Sequence, residues 1–422
     1  MFRMRSWGRF AVALSSGCAL AFASGGLVSG VPGKTATEGE VDARVDQVLR
    51  TSEGEGALDA GAPADSLRGR MYAARITASK ALGELDSRVA RTSLPFLIRT
   101  LDRVREDLSQ QPTAYLQAHQ DDLVLWARVA RSLGQIGDPL AAPALLQVLR
   151  TTKIREATVR QEIAVDQGRN VTQTDTVRED LLRDVRLAAI EALSALRVSY
   201  AVGDLIDLLT DPDLAIRTAS HGVLRHLTNH DHPYDPKVEA SLALGQNRWR
   251  QWWGRAHEQD RLDWMREGFV AGGVEMGDLS SHDALPALVA VLNHRSSWFR
   301  ANARERILTL TWEVPLDGLQ VILPHLKQEG LHPDAQDTLS LLFVDLAQRR
   351  LQLTWIEERL AGKTDPETGR LVELGVLPFA YEPLPPVDLP PAERERLMTE
   401  WVQRKDVLVS RMDTWLQAQI SR

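Results

Sequence analysis

His226, His230, Asp231, His232 and Asp235 crowd one short stretch of the chain. Imidazole and carboxylate suit zinc and similar ions, and spacings of four and two could converge in a loop. The segment Asp231-His232-Pro233-Tyr234-Asp235-Pro236 is also an ordinary turn, in which short polar side chains satisfy helix ends. No His-Glu-x-x-His, no cysteine pair and no further carboxylate at a fixed offset supports a site. No metal and no cofactor is therefore assigned. His226, His230, His232 and Asp235 stand as the alternative, a metal- or ligand-binding loop beside a Trp-rich helix.

That helix carries Trp249, Trp252 and Trp253 at i, i+3 and i+4, hence on one side. Core packing is the simpler role, with Trp264 and Trp298 extending the aromatic cluster. The functional role would be an exposed platform for a partner. Trp and Arg dominate binding hot spots, and Arg248 and Arg250 flank the indoles, so Arg248, Trp249, Arg250, Trp252 and Trp253 are the partner-binding candidates. Ser280-Ser281-His282-Asp283 carries the letters of a nucleophile triad. Neighbours on one backbone rarely form one, and Asp283 before Ala284-Leu285-Pro286 reads as a helix N-terminal residue. No catalytic residue is assigned, and the reading leans away from an enzyme.

The elements that must position these groups repeat. Val185-Arg186-Leu187-Ala188-Ala189-Ile190-Glu191-Ala192-Leu193 returns as Ala215-Ile216-Arg217-Thr218-Ala219 and as Phe299-Arg300-Ala301-Asn302-Ala303. Leu-rich helices such as Ala144-Leu145-Leu146-Gln147-Val148-Leu149 lie beside the copies, and Leu133-Gly134-Gln135-Ile136-Gly137-Asp138-Pro139 is a helix stop. A recurring supersecondary unit predicts a stacked array. The pattern resembles HEAT repeats, including the bacterial HEAT-like kind, over roughly residues 70–360. The resemblance implies an all-α, HEAT-like α-solenoid of stacked helix pairs, and a family that serves mainly as scaffolds. It also implies that Arg186, Arg217 and Arg300 bond to neighbouring turns. Thr228, six residues before Tyr234-Asp235-Pro236 and ahead of the Trp-rich helix, resembles a structural element of other bacterial HEAT-like proteins. Bilin lyases and DNA glycosylases also use HEAT-like folds, but no motif here singles out either.

Two segments interrupt the array. In residues 156–177, Val159, Gln161, Ile163 and Val165 alternate with polar neighbours. Gly168-Arg169-Asn170 supplies a turn, and Val171, Gln173, Asp175 and Val177 alternate again. Period two on both sides predicts a β-hairpin insert, against a disordered or helical insert as the alternative. Residues 363–391 form a proline-rich strap, and 392–422 a helix with Leu397, Trp401, Leu408, Met412 and Trp415 on its apolar side. That helix is expected to cap the array, with partner docking as the sharper alternative. The boundaries expected are thus repeats at 66–256, a glycine-rich connection at 257–281, repeats at 282–362, then strap and cap.

Bulk properties constrain partners and destination. The 422 residues carry 44% hydrophobic and 25% charged side chains and a net charge of −7, so no basic stripe favours nucleic acid. Three arginines (Arg3, Arg5, Arg9) precede an uncharged stretch ending Ala21-Phe22-Ala23, the pattern of a signal peptide over 1–23. A flexible leader is expected at 24–65. Cleavage would leave no cysteine; lipidation at Cys18 and an uncleaved anchor are the alternatives. The chain reads as exported, periplasmic or outer membrane-associated, with another protein as partner and with membrane contact only through its N-terminus.

Overall fold

The computed structural model describes residues 87–421, apart from 111, 119, 166–168, 330, 364, 380, 382 and 387. The signal peptide, Cys18, the leader and the start of the repeats expected from residue 66 lie outside the described residues. The described residues divide into two compact units, one of residues 87–227 with 232–258, the other of 228–231 with 259–421.

In the first unit, α1 (Ser87–Gln110), α2 (Thr113–Ala118), α3 (Gln120–Ile136) and α4 (Ala142–Arg150) precede a two-stranded segment. Pro95 lies inside α1, eight residues after its first residue, Ser87. Helix α3 buries Leu125, Val129, Ala130, Leu133 and Ile136 along one stripe. It ends at Gly137, whose φ of 74° only glycine adopts without strain. The Asp138 carboxylate then accepts from the Leu140 N–H at 3.0 Å, and Pro139 opens a 3₁₀ turn into α4. Gly134 belongs to packing and not to the stop. A β-carbon there would lie 2.7 Å from the Ala192 α-carbon, so glycine lets α3 approach α5 (Arg183–Ala195) backbone to backbone.

Strands β1 (Ile154–Val165) and β2 (Arg169–Asp180) pair antiparallel from Ile154 opposite Asp180 to Val165 opposite Arg169. The ribbon is longer than 156–177. Arg169 and Asn170 belong to the second strand, because residues 166–168 alone join the two. Its base is tied down: Leu181 N–H donates to the Lys153 carbonyl at 3.0 Å, and Asp180 accepts from the Lys153 and Leu182 N–H groups. Helices α3 and α4 both pack on α5. Beyond α5 come α6 (Val202–Asp207), α7 (Leu214–Thr228) and α8 (Glu239–Ala256), and α8 packs on α6.

The repeated arginines fasten these layers. Arg186 is 1% exposed and donates to Asp180 and to Asp211 at 2.6 Å each, and to the Leu149 carbonyl at 3.1 Å. Arg217 donates to the carbonyls of Asp211, Pro212 and Pro236. In the second unit Arg300 donates to the His294 and Arg295 carbonyls. Each arginine ties its helix to a turn.

The second unit comprises α9 (Arg261–Ala271), α10 (Leu285–Val291), α11 (Ser297–Thr311), α12 (Pro315–Leu326), α13 (Pro333–Leu360), α14 (Pro366–Leu374) and α15 (Pro391–Ile420). Two expectations fail here. The glycine-rich connection contains helix α9, with Trp264, Met265 and Phe269 buried, and Gly268 and Gly272 make room there for Asn229 and Phe299. The strap includes α14, capped by Asp365 at its start and by left-handed Gly375 at its end. The remainder is pinned to α13: Tyr381 donates to Asp337 at 2.7 Å, and the Leu384 N–H donates to the same oxygen. Helix α15 packs on α12, and its Met412 and Trp415 belong to one core with Phe343 and Phe379. Truncating Met412→Ala should cost about 3 kcal/mol in urea unfolding, the range for emptying a buried side chain. A change under about 0.5 kcal/mol, the scale of a surface site, would show α15 to be a detachable appendage.

Candidate functional site

The 226–236 stretch divides where α7 stops. Asn229 takes the left-handed conformation, φ 63°, and ends the helix. It is fully buried in the second unit, donating to the Met265 carbonyl at 2.8 Å and accepting from Asn302 at 3.0 Å. A bonded buried amide in this position is a structural stop, and only a residue that tolerates positive φ can supply it.

The four proposed ligands are not brought together. Among the described residues no three His, Cys, Asp or Glu side chains are placed to hold a metal ion. His226 and His230 are buried, but Asp235 is exposed and spends its carboxylate on the Lys237 N–H at 2.9 Å. Its own N–H donates to Ser241. His232 packs its ring edge-on to Trp249, centroids 4.7 Å apart, and lies 6.2 Å from Trp252.

The loop from His232 to Pro236 is held on three sides. Tyr234 donates its hydroxyl to the Leu209 carbonyl at 2.5 Å, Arg248 donates to the Pro233 carbonyl at 3.0 Å, and Arg217 reaches the Pro236 carbonyl. Gly245 leaves space for the Tyr234 ring, which a β-carbon there would meet at 2.5 Å. Burial pushes the Tyr234 phenol up to about 12. Sequence reasoning passed over His221. Its ring lies 4.8 Å from Tyr234 and 6.2 Å from Trp249, and burial, Arg225 and His232 together hold it down at about 3. The signal was its place on the inner stripe of α7, three residues before Leu224.

The aromatic platform is mostly core. Trp249 is 0% and Trp252 5% exposed, which removes both from any partner contact in this fold. They face inward because i, i+3 spacing on α8 coincides with the stripe that meets the loop. Trp253 is half-buried. Arg250 is exposed and donates to Asp207 at 2.8 Å, and Arg248 serves the loop. Trp264 and Trp298 belong to the other unit. The Ser-His-Asp letters are consumed by caps: Ser281 accepts from the Asp283 N–H, Ser280 bonds Asp278, and His282 lies 3.3 Å from Asp317. Ser280 holds the Asp278 carboxyl below the usual range. An open depression of about 420 Å³ between α13 and residues 376–381 is lined by Val344, Gln348, Val376, Leu377, Pro378, Phe379 and Tyr381. Its polar lining side chains are Gln348 and Tyr381, the latter already bonded to Asp337.

Exposed apolar side chains stand elsewhere. Leu140, 73% exposed, is the middle residue of the 3₁₀ turn Pro139–Ala141 that opens α4. Tyr200, 55% exposed, is the middle residue of Ser199–Ala201, the turn that opens α6. The preceding residues match as well, since Gly137 and Arg197 are both left-handed helix stops. Equivalent positions of successive helix pairs thus present large apolar groups to solvent.

Residues 127–151, the second half of α3 with α4, match the family model described as PBS lyase HEAT-like repeat. No curated protein matches the chain. A solved structure of human deoxyhypusine hydroxylase in complex with glycerol is 18% identical over 80% of this chain and 95% of that one, with a TM-score of 0.26. So loose a superposition assigns neither fold nor activity. The match at 127–151, where the Gly137 stop and the α3–α4 pair lie, makes this a chain that carries a HEAT-like repeat.

Proposed function

We propose that the protein is an exported, non-catalytic helical scaffold that binds another protein in the bacterial envelope. Leu140 and Tyr200 carry the reading: burial of the core leaves them out, and they recur at one position of consecutive helix pairs. Apolar groups repeated along a stack add contacts to an extended partner one unit at a time. The contact surface therefore moves from the Trp helix to the turns that open α4 and α6. Export rests on the pattern from Arg3 to Ala23.

The double variant Leu140→Asp, Tyr200→Asp should lose at least tenfold in partner retention when the tagged protein is recovered from native envelopes. Unfolding stability should stay within about 0.5 kcal/mol, as for exposed sites. An unchanged set of co-purifying proteins at unchanged abundance would sink the reading. N-terminal sequencing of the recovered protein should begin at Ser24; a chain still carrying Arg3 to Ala23 in the cytoplasmic fraction would remove export.

A further inference from the structure

The β1–β2 register sets every odd-numbered residue of one strand opposite an odd-numbered residue of the other, as in Ile163 opposite Val171 and Ala157 opposite Val177. Positions alternate between the two faces along a strand, so the odd residues share one face and the even residues the other. The odd face holds Ala157, Val159, Ile163, Val165, Val171 and Val177. The even face is mostly threonines and charges, among them Glu156, Arg160, Thr174 and Arg178. A two-stranded ribbon is marginally stable alone and gains stability when a further layer covers its apolar face. Among the described residues the sheet has these two strands only, and no helix packs extensively on either.

We propose that this odd-numbered face is the contact between two copies of the chain, their ribbons stacked face to face and turned end for end. The twofold axis passes at the level of Arg160 and Thr174, which are opposite each other, so β2 of one copy lies over β2 of the other. Val171 then falls over Val177, Ala157 over Ile163 and Gln173 over Asp175, each twice. At both ends Arg169 falls over Glu179, its opposite in charge. Stacked tip on tip instead, Asp175 would fall over Val159 and Arg169 over Val165, so charge selects the end-for-end arrangement. The strip is about 40 Å long and two strands wide, at the low end of interface sizes, so a dissociation constant of about 10 µM is expected. This contact is separate from the turns at Leu140 and Tyr200.

The test is sedimentation equilibrium of the full chain from about 1 to about 200 µM, a range that brackets the expected constant. Wild type should pass from monomer to dimer. Val171→Asp, which sets a carboxylate over Val177 twice per dimer, should weaken association about a hundredfold or more. Thr172→Asp, its neighbour on the even face, should change it by no more than about threefold. A monomer throughout would overturn the proposal, as would follow if another segment or another protein covered that face. A dimer unchanged by Val171→Asp would overturn it too, because the contact would lie elsewhere. So would equal losses in the two variants, the mark of pairing through strand edges. If Val171→Asp does not fold, Val171→Thr, which keeps the β-branched shape, should still weaken association about tenfold. An unchanged constant in that variant would contradict the stacking.

Discussion

Arg186→Ala should destabilise the first unit by about 3–5 kcal/mol, the range for stripping one partner from a buried ion pair. Two carboxylates, Asp180 and Asp211, would remain 4% and 8% exposed with no cation between them. Burial opposes the guanidinium's charge, yet the bonds and charges of Asp211 and Asp180 hold its pKa above the ordinary arginine range. The same guanidinium joins three segments: the end of α4 through Leu149, the base of the ribbon through Asp180 and the turn before α7 through Asp211. Exchange at residues 151–154 and 181–183 should therefore rise together with that of α5. Neutralising all three positions (Arg186→Met with Asp180→Asn and Asp211→Asn) should recover more than half of the loss, since the penalty comes from unpaired charge. The checking measurement is urea unfolding of the wild type, Arg186→Ala and the triple variant. A loss below about 1 kcal/mol, the scale of an exposed pair, would mean that water reaches the triad.

Gly268→Ala should cost about 3 kcal/mol, the upper part of the range for overpacking a filled core. Its added β-carbon would overlap the Asn229 carbonyl group, and backbone cannot rotate aside as a side chain can. Asn229 is itself fixed by its left-handed stop and by two buried hydrogen bonds, so the strain has no soft outlet. Gly277→Ala is the matched control. A β-carbon there meets nothing within 4 Å, and the substitution should stay within about 0.5 kcal/mol. Equal melting curves for the two variants would contradict the close approach of α9 to Asn229.

These two sites mark where the sequence was legible and where it was not. Arg186, Arg217 and Arg300 were readable through the resemblance to HEAT repeats, which implies a bond from that recurring arginine to a neighbouring turn. Gly137 was readable because glycine, aspartate and proline in succession admit few conformations. Gly134 and Gly268 were not. A glycine that ends a helix and one that lets a second backbone approach look alike until the neighbour is known. Gly268 sat among other glycines and suggested a loop, yet it lies inside α9. Trp249 and Trp252 take the simpler of their two roles, core packing, and the sequence left the platform role open for a related reason. Spacing placed them on one side of α8, but nothing local says whether that side meets solvent or the Asp231-to-Pro236 loop. Asn229 and Asn302 are 73 residues apart and joined only by folding.

The scaffold reading stands or falls on whether the turns that open α4 and α6 touch a partner. The direct measurement is site-specific photo-crosslinking in living cells, with a benzophenone amino acid replacing Leu140 in one strain and Tyr200 in another, and with exposed Val314 of the second unit as reference. Both turn positions should form an adduct with one and the same protein, and Val314 should not. No adduct at either turn, or the same adducts at all three positions, would contradict the account.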